Sequence, residues 1–188
     1  MLGPGPVERQ IVHSRALLAG VPERGRVLDL GSGGGLPGLV LATHRPELEL
    51  TLLEARQRAG RFLGEAILEL GRSDVGVIEA RAEEAARRPD LRETYDAVVA
   101  RSFAPPPVTA ECAVAFLRLG GHLIVSEPPA DDIHGPRWPA EGLEALGFAP
   151  ADRFGTPEAT FVRLTKTRSD GRWPRRVGIP AKRPLWKT

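Results

Sequence analysis

Two carboxylates beside a glycine-rich segment are the residues whose types and spacing point most directly to chemistry. Residues 27–38 read Val-Leu-Asp-Leu-Gly-Ser-Gly-Gly-Gly-Leu-Pro-Gly, so an apolar run passes directly into glycines. Glycine permits positive φ angles and lets the backbone approach a ligand closely. Asp29 lies two residues before Gly31, and Glu54 ends the next apolar run, at residues 48–54. This pattern predicts a binding site for a ligand that carries hydroxyl groups and positive charge.

The position of Asp29 favours one of two kinds of adenosine-containing cofactor. Glycine-rich turns also bind dinucleotides, and Glu54 suits the ribose hydroxyls of NAD as well as those of S-adenosylmethionine. An acid inside the strand end can meet the cationic amino-acid end of S-adenosylmethionine, whereas it would repel a pyrophosphate. We therefore predict S-adenosylmethionine as the cofactor, with a nicotinamide-dependent dehydrogenase as an alternative class. The contacts predicted from these two segments are Asp29, Gly31, Gly33, Gly35 and Glu54.

The elements that position these residues alternate between strands and helices along the chain. Short apolar runs predict five strands, at residues 26–31, 48–54, 75–78, 95–100 and 122–125. Helical spacing of apolar residues predicts helices at 7–18, 36–43, 56–70 and 108–119. Such alternation predicts a doubly wound α/β domain, in which a mainly parallel sheet carries helices on both faces.

Two further strands are predicted late in the chain, at residues 148–154 and 159–167, with no long helix between them. They predict an antiparallel hairpin at the edge of the sheet, which favours a methyltransferase sheet over a plain dehydrogenase sheet. The predicted fold is thus a seven-stranded, Rossmann-like sheet of the class I S-adenosylmethionine-dependent methyltransferase type. Ala82 and Glu83 follow the third strand, where their backbone would face the adenine.

Composition limits the class of protein. The 188 residues fit one domain, and 41% of them are hydrophobic, as in a globular protein. The single cysteine, Cys112, excludes an intrachain disulfide and favours a reducing compartment. We see no apolar run of about 18 residues and no signal-peptide pattern, so we predict a cytoplasmic protein without a membrane span. The histidines are isolated from one another in the sequence, and no metal site is predicted.

The charge of the chain is unevenly distributed. From Arg163 to Thr188 there are nine Lys and Arg residues against one acid, while the rest of the chain has 17 against 23. We therefore predict a methyltransferase domain over residues 1–165, with a short N-terminal helix, followed by a basic C-terminal tail at 166–188. A basic end on an acidic body suggests a polyanionic partner, although a solvated tail without a partner is the simpler alternative.

With these residues in place, the chain resembles the RsmG (GidB) family of 16S ribosomal RNA guanine-N7 methyltransferases. The resemblance begins at Arg-Gln-Ile-Val-His-Ser (9–14) and continues through Asp-Leu-Gly-Ser-Gly-Gly-Gly-Leu-Pro-Gly (29–38), whose Leu-Pro-Gly ending is its most distinctive part. It continues through the segments at 53–63, 81–84 and 95–105, and through Pro-Arg-Arg-Val-Gly-Ile-Pro-Ala-Lys-Arg-Pro-Leu (174–185). Each motif alone is modest, but the ordered set is fairly specific.

The resemblance implies a reaction and a set of site residues. It implies cofactor contacts at Gly31, Leu36, Ala82, Glu83 and Arg101. Arg101 follows the fourth strand, where the methyl-accepting base sits in this fold, and it is the predicted catalytic residue. The basic end, through Arg175, Arg176, Lys182 and Arg183, is predicted to bind RNA by neutralising phosphates. Guanine N7 has a lone pair and no proton to lose, so the reaction needs positioning rather than a general base.

The resemblance also implies partners, and some residues depart from the family. The implied partner is 16S rRNA or the small ribosomal subunit, and we expect a monomer. Family members usually have a longer helical part before the first helix, and Gln10 and His13 replace a histidine and an aspartate of that helix. After the fifth strand Ser126-Glu127 replaces a Lys-Gly pair, and an acid there would repel phosphate. Two alternatives therefore stay open, a methyltransferase of the same fold that acts on a small molecule and a non-catalytic RNA- or ribosome-binding protein.

Overall fold

A seven-stranded sheet forms the centre of the chain. The computed structural model describes residues 6–128, 136–156 and 159–188. The strands are β1 (Gly25–Leu30), β2 (Leu48–Glu54), β3 (Gly76–Glu79), β4 (Tyr95–Ala100), β5 (Leu117–Ser126), β6 (Asp152–Thr156) and β7 (Ala159–Thr165). Their order across the sheet is β3-β2-β1-β4-β5-β7-β6. The sheet therefore confirms the predicted seven-stranded, doubly wound fold.

Strand direction follows the predicted pattern. The pairs among β1 to β5 are parallel, β7 is antiparallel to β5, and β6 pairs with β7 as the edge strand of a hairpin. The order of strands reverses between β1 and β4, because the chain first builds outward through β2 and β3 and then returns. In open α/β sheets, ligands bind beyond the carboxyl ends of the strands at such a point.

Helices cover both faces of the sheet. They are α1 (Val7–Leu17), a short 3₁₀ turn (Leu18–Gly20), α2 (Gly38–His44), α3 (Gln57–Glu69), α4 (Ala82–Ala85), α5 (Pro106–Val114), α6 (Ala140–Leu146) and α7 (Ile179–Lys182). Residues of α1, α2 and α3 share one apolar core with Val27 of β1, while α4, α5 and α6 share the other core with Leu28. Successive residues of a strand point to opposite faces, so this buried strand supplies both cores.

The predicted helix at 108–119 is wrong in its second half. Helix α5 ends at Val114, and Leu117 already begins β5, where it pairs with Tyr95 of β4. Phe116 and Leu117 are fully buried. An apolar run at the junction of a buried helix and a buried strand has no polar residue to mark the boundary, which is why its period suggested a longer helix.

The C-terminal segment, residues 166–188, packs against helices α4, α5 and α6. Arg175 donates to the buried carboxylate of Glu111 in α5, and the indole of Trp186 packs over Gly142 of α6. Trp173 is 6% exposed. This segment follows directly after β7, and it contributes to the core of one face of the sheet.

The described residues contain neither a candidate membrane-spanning helix nor a candidate metal site. No helix in the described part of the chain has the length and apolar character needed to cross a membrane. Within the same ranges, no cluster of three or more His, Cys, Asp or Glu side chains could hold a metal ion.

Candidate active site

Two adjoining cavities lie beyond the carboxyl ends of the parallel strands. The first, here called the Glu54 cavity, has a volume of about 410 Å³ and lies beyond the ends of β1, β2 and β3. The second, here called the Arg101 cavity, has a volume of about 400 Å³ and lies beyond the ends of β4 and β5. Both volumes are in the range of small-molecule sites. Ser102, Phe103 and Ala104 line both cavities and therefore form the wall between them.

Glu54 ends β2 and lines the cavity named after it. Its side chain is 6% exposed, and its two oxygens accept hydrogen bonds from Gly33 N–H (2.8 Å), Arg56 N–H (2.9 Å) and Arg56 Nε (3.0 Å). Burial alone would raise the pKa of Glu54, but the hydrogen bonds from Arg56 and Gly33 outweigh burial and hold the pKa below its usual value. The group is therefore an ionised acceptor at neutral pH, positioned for hydroxyl donors.

Asp29 lies deeper than Glu54. It is 1% exposed, and its Oδ2 accepts a hydrogen bond from the backbone N–H of Gly38 at 3.0 Å, where α2 begins. Burial raises the pKa of Asp29 to about 7, despite opposing hydrogen bonds from Ser32 and Gly38. The carboxylate thus links the end of β1 to the start of α2 from beneath the glycine loop, and it does not line the Glu54 cavity.

The glycine loop adopts the conformation that the sequence predicts. Gly31, Gly33 and Gly35 have φ angles of 73°, 53° and 90°, in the region that residues with a side chain rarely adopt. Gly31 lines the Glu54 cavity, and a Cβ at this position would overlap the Phe103 ring. Gly33 lines a neighbouring hollow together with Arg56. Gly35 and Leu36 lie further along the loop and line neither of the two cavities.

The start of α4 and the C-terminal segment form the opposite wall of the Glu54 cavity. Ala82 and Glu83 line it together with Ala181. The Glu83 carboxylate is buried and accepts the backbone N–H of Gly178 at 3.0 Å. The side chain of Glu83 therefore binds the C-terminal segment. The backbone at the start of α4 is then the part of Glu83 that can contact a ligand in the cavity.

Arg101, which the resemblance implied as a cofactor contact as well as the catalytic residue, lines the Arg101 cavity and does not line the Glu54 cavity. Its guanidinium donates to Gln10 Oε1 at 3.2 Å and to Ser14 Oγ at 3.5 Å, both on α1. Burial lowers the pKa of Arg101, although a guanidinium stays charged at neutral pH. Gln10 and Ser14 are both buried, so α1 turns its polar residues toward the arginine. The next residue, Ser102, has a φ of 52°, and strained backbone of this kind is concentrated at functional sites.

Glu127 follows β5 on the other side of the Arg101 cavity, and its side chain is fully buried. It accepts hydrogen bonds from Trp138 Nε1 (3.1 Å), Arg137 Nε (3.2 Å) and Arg153 Nη1 (3.4 Å). The acid that was expected to repel phosphate is therefore paired with two arginines. Arg137 and Trp138 line the cavity as well, and Ser126 joins them with its hydroxyl 2.6 Å from His13 Nε2.

The predicted RNA-binding residues of the C-terminal segment have different surroundings. Arg176, Lys182 and Arg183 are exposed. Arg175 is partly buried and donates to Glu111 through Nε (2.8 Å), Nη2 (2.6 Å) and its backbone N–H (2.9 Å). Arg176, Lys182 and Arg183 are thus accessible to a partner, while Arg175 joins the C-terminal segment to α5.

Several residues that line the two cavities or contact Arg101 were not predicted. The signal for Gln10 and Ser14 lay in the first motif of the family resemblance, which contains both. Arg137 and Trp138 carried no usable signal, because they follow β5 at a distance and belong to no recognised motif. Ala181 lies within the Ile-Pro-Ala-Lys stretch of the last motif. That stretch was predicted to be part of a basic tail because of its charge, and nothing in its sequence indicated that it lines a cavity.

Comparison with known proteins gives the same fold. SibL, an S-adenosylmethionine-dependent methyltransferase in its apo form, superposes with a TM-score of 0.65 at 22% identity, over 84% of this chain and 55% of SibL. An O-methyltransferase family protein from Burkholderia thailandensis superposes with a TM-score of 0.61 at 13% identity, over 85% of this chain and 55% of its own.

Sequence comparison identifies a family, whereas structural comparison gives only the fold. A family model described as rRNA small subunit methyltransferase G matches residues 6–131. Proteins named ribosomal RNA small subunit methyltransferase G are similar to the chain in Rubrobacter xylanophilus (39% identical, covering 86% of this chain and 65% of the relative) and in Syntrophomonas wolfei (37% identical, covering 97% and 87%). The chain therefore spans about two thirds of the first relative's length and most of the second's.

Fold and site together define a class. The seven-stranded sheet of this order has the fold of class I S-adenosylmethionine-dependent methyltransferases, and the matching family model is that of a methyltransferase. Within that class, the chain belongs to the rRNA small subunit methyltransferase G family. It is a methyltransferase, its cofactor is S-adenosylmethionine, and the dehydrogenase alternative is wrong.

Proposed function

We propose that this chain transfers a methyl group from S-adenosylmethionine to N7 of a guanine in 16S rRNA. The observation that carries the proposal is the shared wall of Ser102, Phe103 and Ala104, which separates a nucleoside-sized cavity with a buried acid from a second cavity lined by arginines. Family membership supports a ribosomal RNA substrate for the second cavity. The choice of guanine N7 follows the function of the family that the sequence resembles.

The Glu54 cavity fits the cofactor by the chemistry of its lining. Glu54 would accept both ribose hydroxyls, because it is buried, ionised and faces the cavity. Ala82 and Glu83 would flank the adenine through their backbone, beside the apolar side chains of Val108 and Cys112. Bound there, S-adenosylmethionine supplies a methyl group activated by positively charged sulfur.

The glycine loop would hold the amino-acid end of the cofactor. Gly31 lines the cavity directly, and Gly33 reaches it through its hydrogen bond to Glu54. Gly35 and Leu36 continue this loop toward α2, and Asp29 supports it from below through Gly38. Asp29 does not line the cavity, and burial leaves it only partly ionised near neutral pH. A cationic group bound above the loop would favour its ionised form and be attracted by it, because an opposite charge nearby lowers the pKa of a carboxyl.

Arg101 would position the acceptor nucleotide. Its guanidinium lines the Arg101 cavity, and hydrogen bonds to Gln10 and Ser14 fix its orientation. Little conformational entropy would therefore be lost when it donates to acceptor oxygens of the substrate. Methyl transfer to N7 removes no proton, so alignment of the lone pair with the methyl group is the main requirement. Arg101 would therefore act by positioning and charge, and it would not serve as a base.

The exposed cations of the C-terminal segment would bind the RNA backbone. Arg176, Lys182 and Arg183 lie on the segment whose Ala181 lines the Glu54 cavity, so phosphates bound there would lie near the cofactor. Such contacts weaken steeply with salt. We further propose that the protein acts in the cytoplasm, as a monomer, on 16S rRNA or the small ribosomal subunit.

The test is transfer of radiolabelled methyl groups to three acceptors, intact small ribosomal subunits, naked 16S rRNA and a metabolite extract. We expect label in RNA, at a position that becomes sensitive to cleavage at N7-methylguanine. Label only in a small molecule would replace the proposal with the small-molecule alternative. Binding of the cofactor without transfer to any acceptor would favour the RNA-binding alternative. An Arg101→Ala variant that still binds S-adenosylhomocysteine serves as the matched control.

A further inference from the structure

The buried carboxylate of Glu127 fixes one end of a cavity-lining arginine. Both hydrogen bonds between the Arg137 side chain and Glu127 use Nε, at 3.2 and 3.3 Å. Within the described residues, the terminal nitrogens of Arg137 make no hydrogen bond. Its backbone carbonyl accepts the indole N–H of Trp186 at 3.0 Å. Arg137 is thus held at its backbone and at Nε, while the two ends of its guanidinium fork remain available.

The Arg101 cavity therefore contains a second guanidinium. Arg137 lines it from the β5 side, and Arg101 lines it from the β4 side. The aromatic rings of Phe103 and Trp138 form further parts of its lining. Two cationic forks and two aromatic rings around about 400 Å³ suit a planar base with acceptor oxygens, since guanidinium groups bind such oxygens strongly and bases stack on aromatic rings.

We propose that Arg137, positioned by Glu127, binds an acceptor oxygen of the target nucleotide, either a base carbonyl oxygen or a phosphate oxygen. Arg137 is then a substrate-binding residue, and Glu127 is a positioning residue that acts through it. This inference rests on the proposed function, because it takes the acceptor to be a nucleotide of RNA.

Arg153 provides a matched control. Arg153 and Arg137 are both ion-paired with the same buried carboxylate, at 3.4 and 3.2 Å, but only Arg137 lines the cavity. Arg137→Ala and Arg153→Ala therefore each remove one cation from Glu127, and only the first removes a group that can reach a nucleotide. A purely structural role for the cluster predicts similar behaviour of the two variants.

The experiment measures KM and kcat for methyl transfer to small ribosomal subunits, together with S-adenosylhomocysteine affinity and melting temperature. We expect Arg137→Ala to raise KM for the subunit about tenfold, the loss typical of one good arginine contact, with cofactor affinity unchanged. Arg137→Lys should recover part of that loss, because it restores one charge without the fork. Glu127→Gln should raise KM by a smaller factor, and Arg153→Ala should leave it unchanged.

Direct binding of guanosine and guanosine 5′-monophosphate, followed by NMR titration, separates the two sources of the oxygen. If Arg137→Ala weakens both ligands relative to Arg153→Ala, the contact is to the base; if it weakens only the monophosphate, the contact is to the phosphate. Equal binding and equal KM in the two arginine variants overturn the inference. The wild-type protein reports on the proposed function separately, because methyl transfer to no RNA refutes that function whatever the two variants bind.

Discussion

The ion pair between Arg175 and Glu111 gives a prediction whose magnitude follows from the structure. Glu111 is fully buried, and Arg175 supplies three donors to it, the backbone N–H at 2.9 Å, Nε at 2.8 Å and Nη2 at 2.6 Å. The Arg175→Ala variant keeps only the backbone donor. Removal of one partner from a buried ion pair costs about 3–5 kcal/mol. Since the Arg175 side chain is 28% exposed, we expect a loss near the lower limit, about 3 kcal/mol.

The assay has two parts, because the loss can appear as global unfolding or as release of the C-terminal segment. Urea unfolding followed by tryptophan fluorescence measures the free energy of unfolding, and limited trypsin digestion measures release of residues 166–188. Arg172→Ala is the matched control. Arg172 pairs with Asp170 on the surface of the same segment, so its loss should leave both measurements close to wild type.

A paired replacement tests the physical reason. Glu111→Leu combined with Arg175→Met removes both charges, and it should recover most of the lost stability because no buried charge is left unpaired. The reasoning is refuted if Arg175→Ala unfolds and digests like the Arg172 variant. It is equally refuted if the double variant is as unstable as Arg175→Ala, since packing rather than the buried charge would then explain the loss.

Three further predictions concern the glycine loop and its acids. Glu54→Ala should weaken S-adenosylhomocysteine binding, measured by calorimetry, by about tenfold or more, because hydrogen bonds to a charged group contribute about 1.5–3 kcal/mol. Burial raises the pKa of Asp29 from 3.8 to about 7, so the folded state holds a proton that the unfolded state has lost between those values. The contribution of Asp29 to stability is therefore full below about pH 4 and is lost as pH rises through about 7, and Asp29→Asn should flatten this part of a plot of melting temperature against pH. Gly31→Ala should destabilise the fold by about 1–2 kcal/mol, seen by urea unfolding, because φ is 73° and the new Cβ meets Phe103.

Each of these three has a result that contradicts it. Unchanged calorimetry for the Glu54 variant would mean that the ribose is held elsewhere. If the melting temperature of the Asp29 variant depends on pH as that of the wild type does, the dependence arises from another group. An alanine at position 31 that keeps full stability would require a different loop conformation from the one described.

The fold could be predicted because its signals are local. The run at 26–31 passes into glycines, and the alternation that follows leaves few topologies other than a doubly wound sheet. The hairpin of β6 and β7 was predictable for the same reason, because no helix separates the two strands. The boundary between α5 and β5 was not, since burial on all sides removes the polar residues that would mark it.

The surroundings of the site were less predictable, because charge in a sequence does not show its partner. In the sequence Glu127 suggested repulsion of phosphate, yet Arg137 and Arg153, 10 and 26 residues further along the chain, form ion pairs with it. Helix α1 shows the same limit. Its apolar Val12 is 64% exposed while Gln10 is 5% exposed. The polar residues Gln10 and Ser14 face inward instead, where they accept hydrogen bonds from the half-buried guanidinium of Arg101.

The shape of the Glu54 cavity has a consequence for how the protein matures. Its wall contains Leu30, from the first strand, and Ala181, which follows the last strand. Both ends of the sequence therefore contribute to one wall, and the wall is incomplete until the stretch around Ala181 has been synthesised. Under the proposed function, a cofactor would meet a complete cavity only in a chain that has been translated through that point.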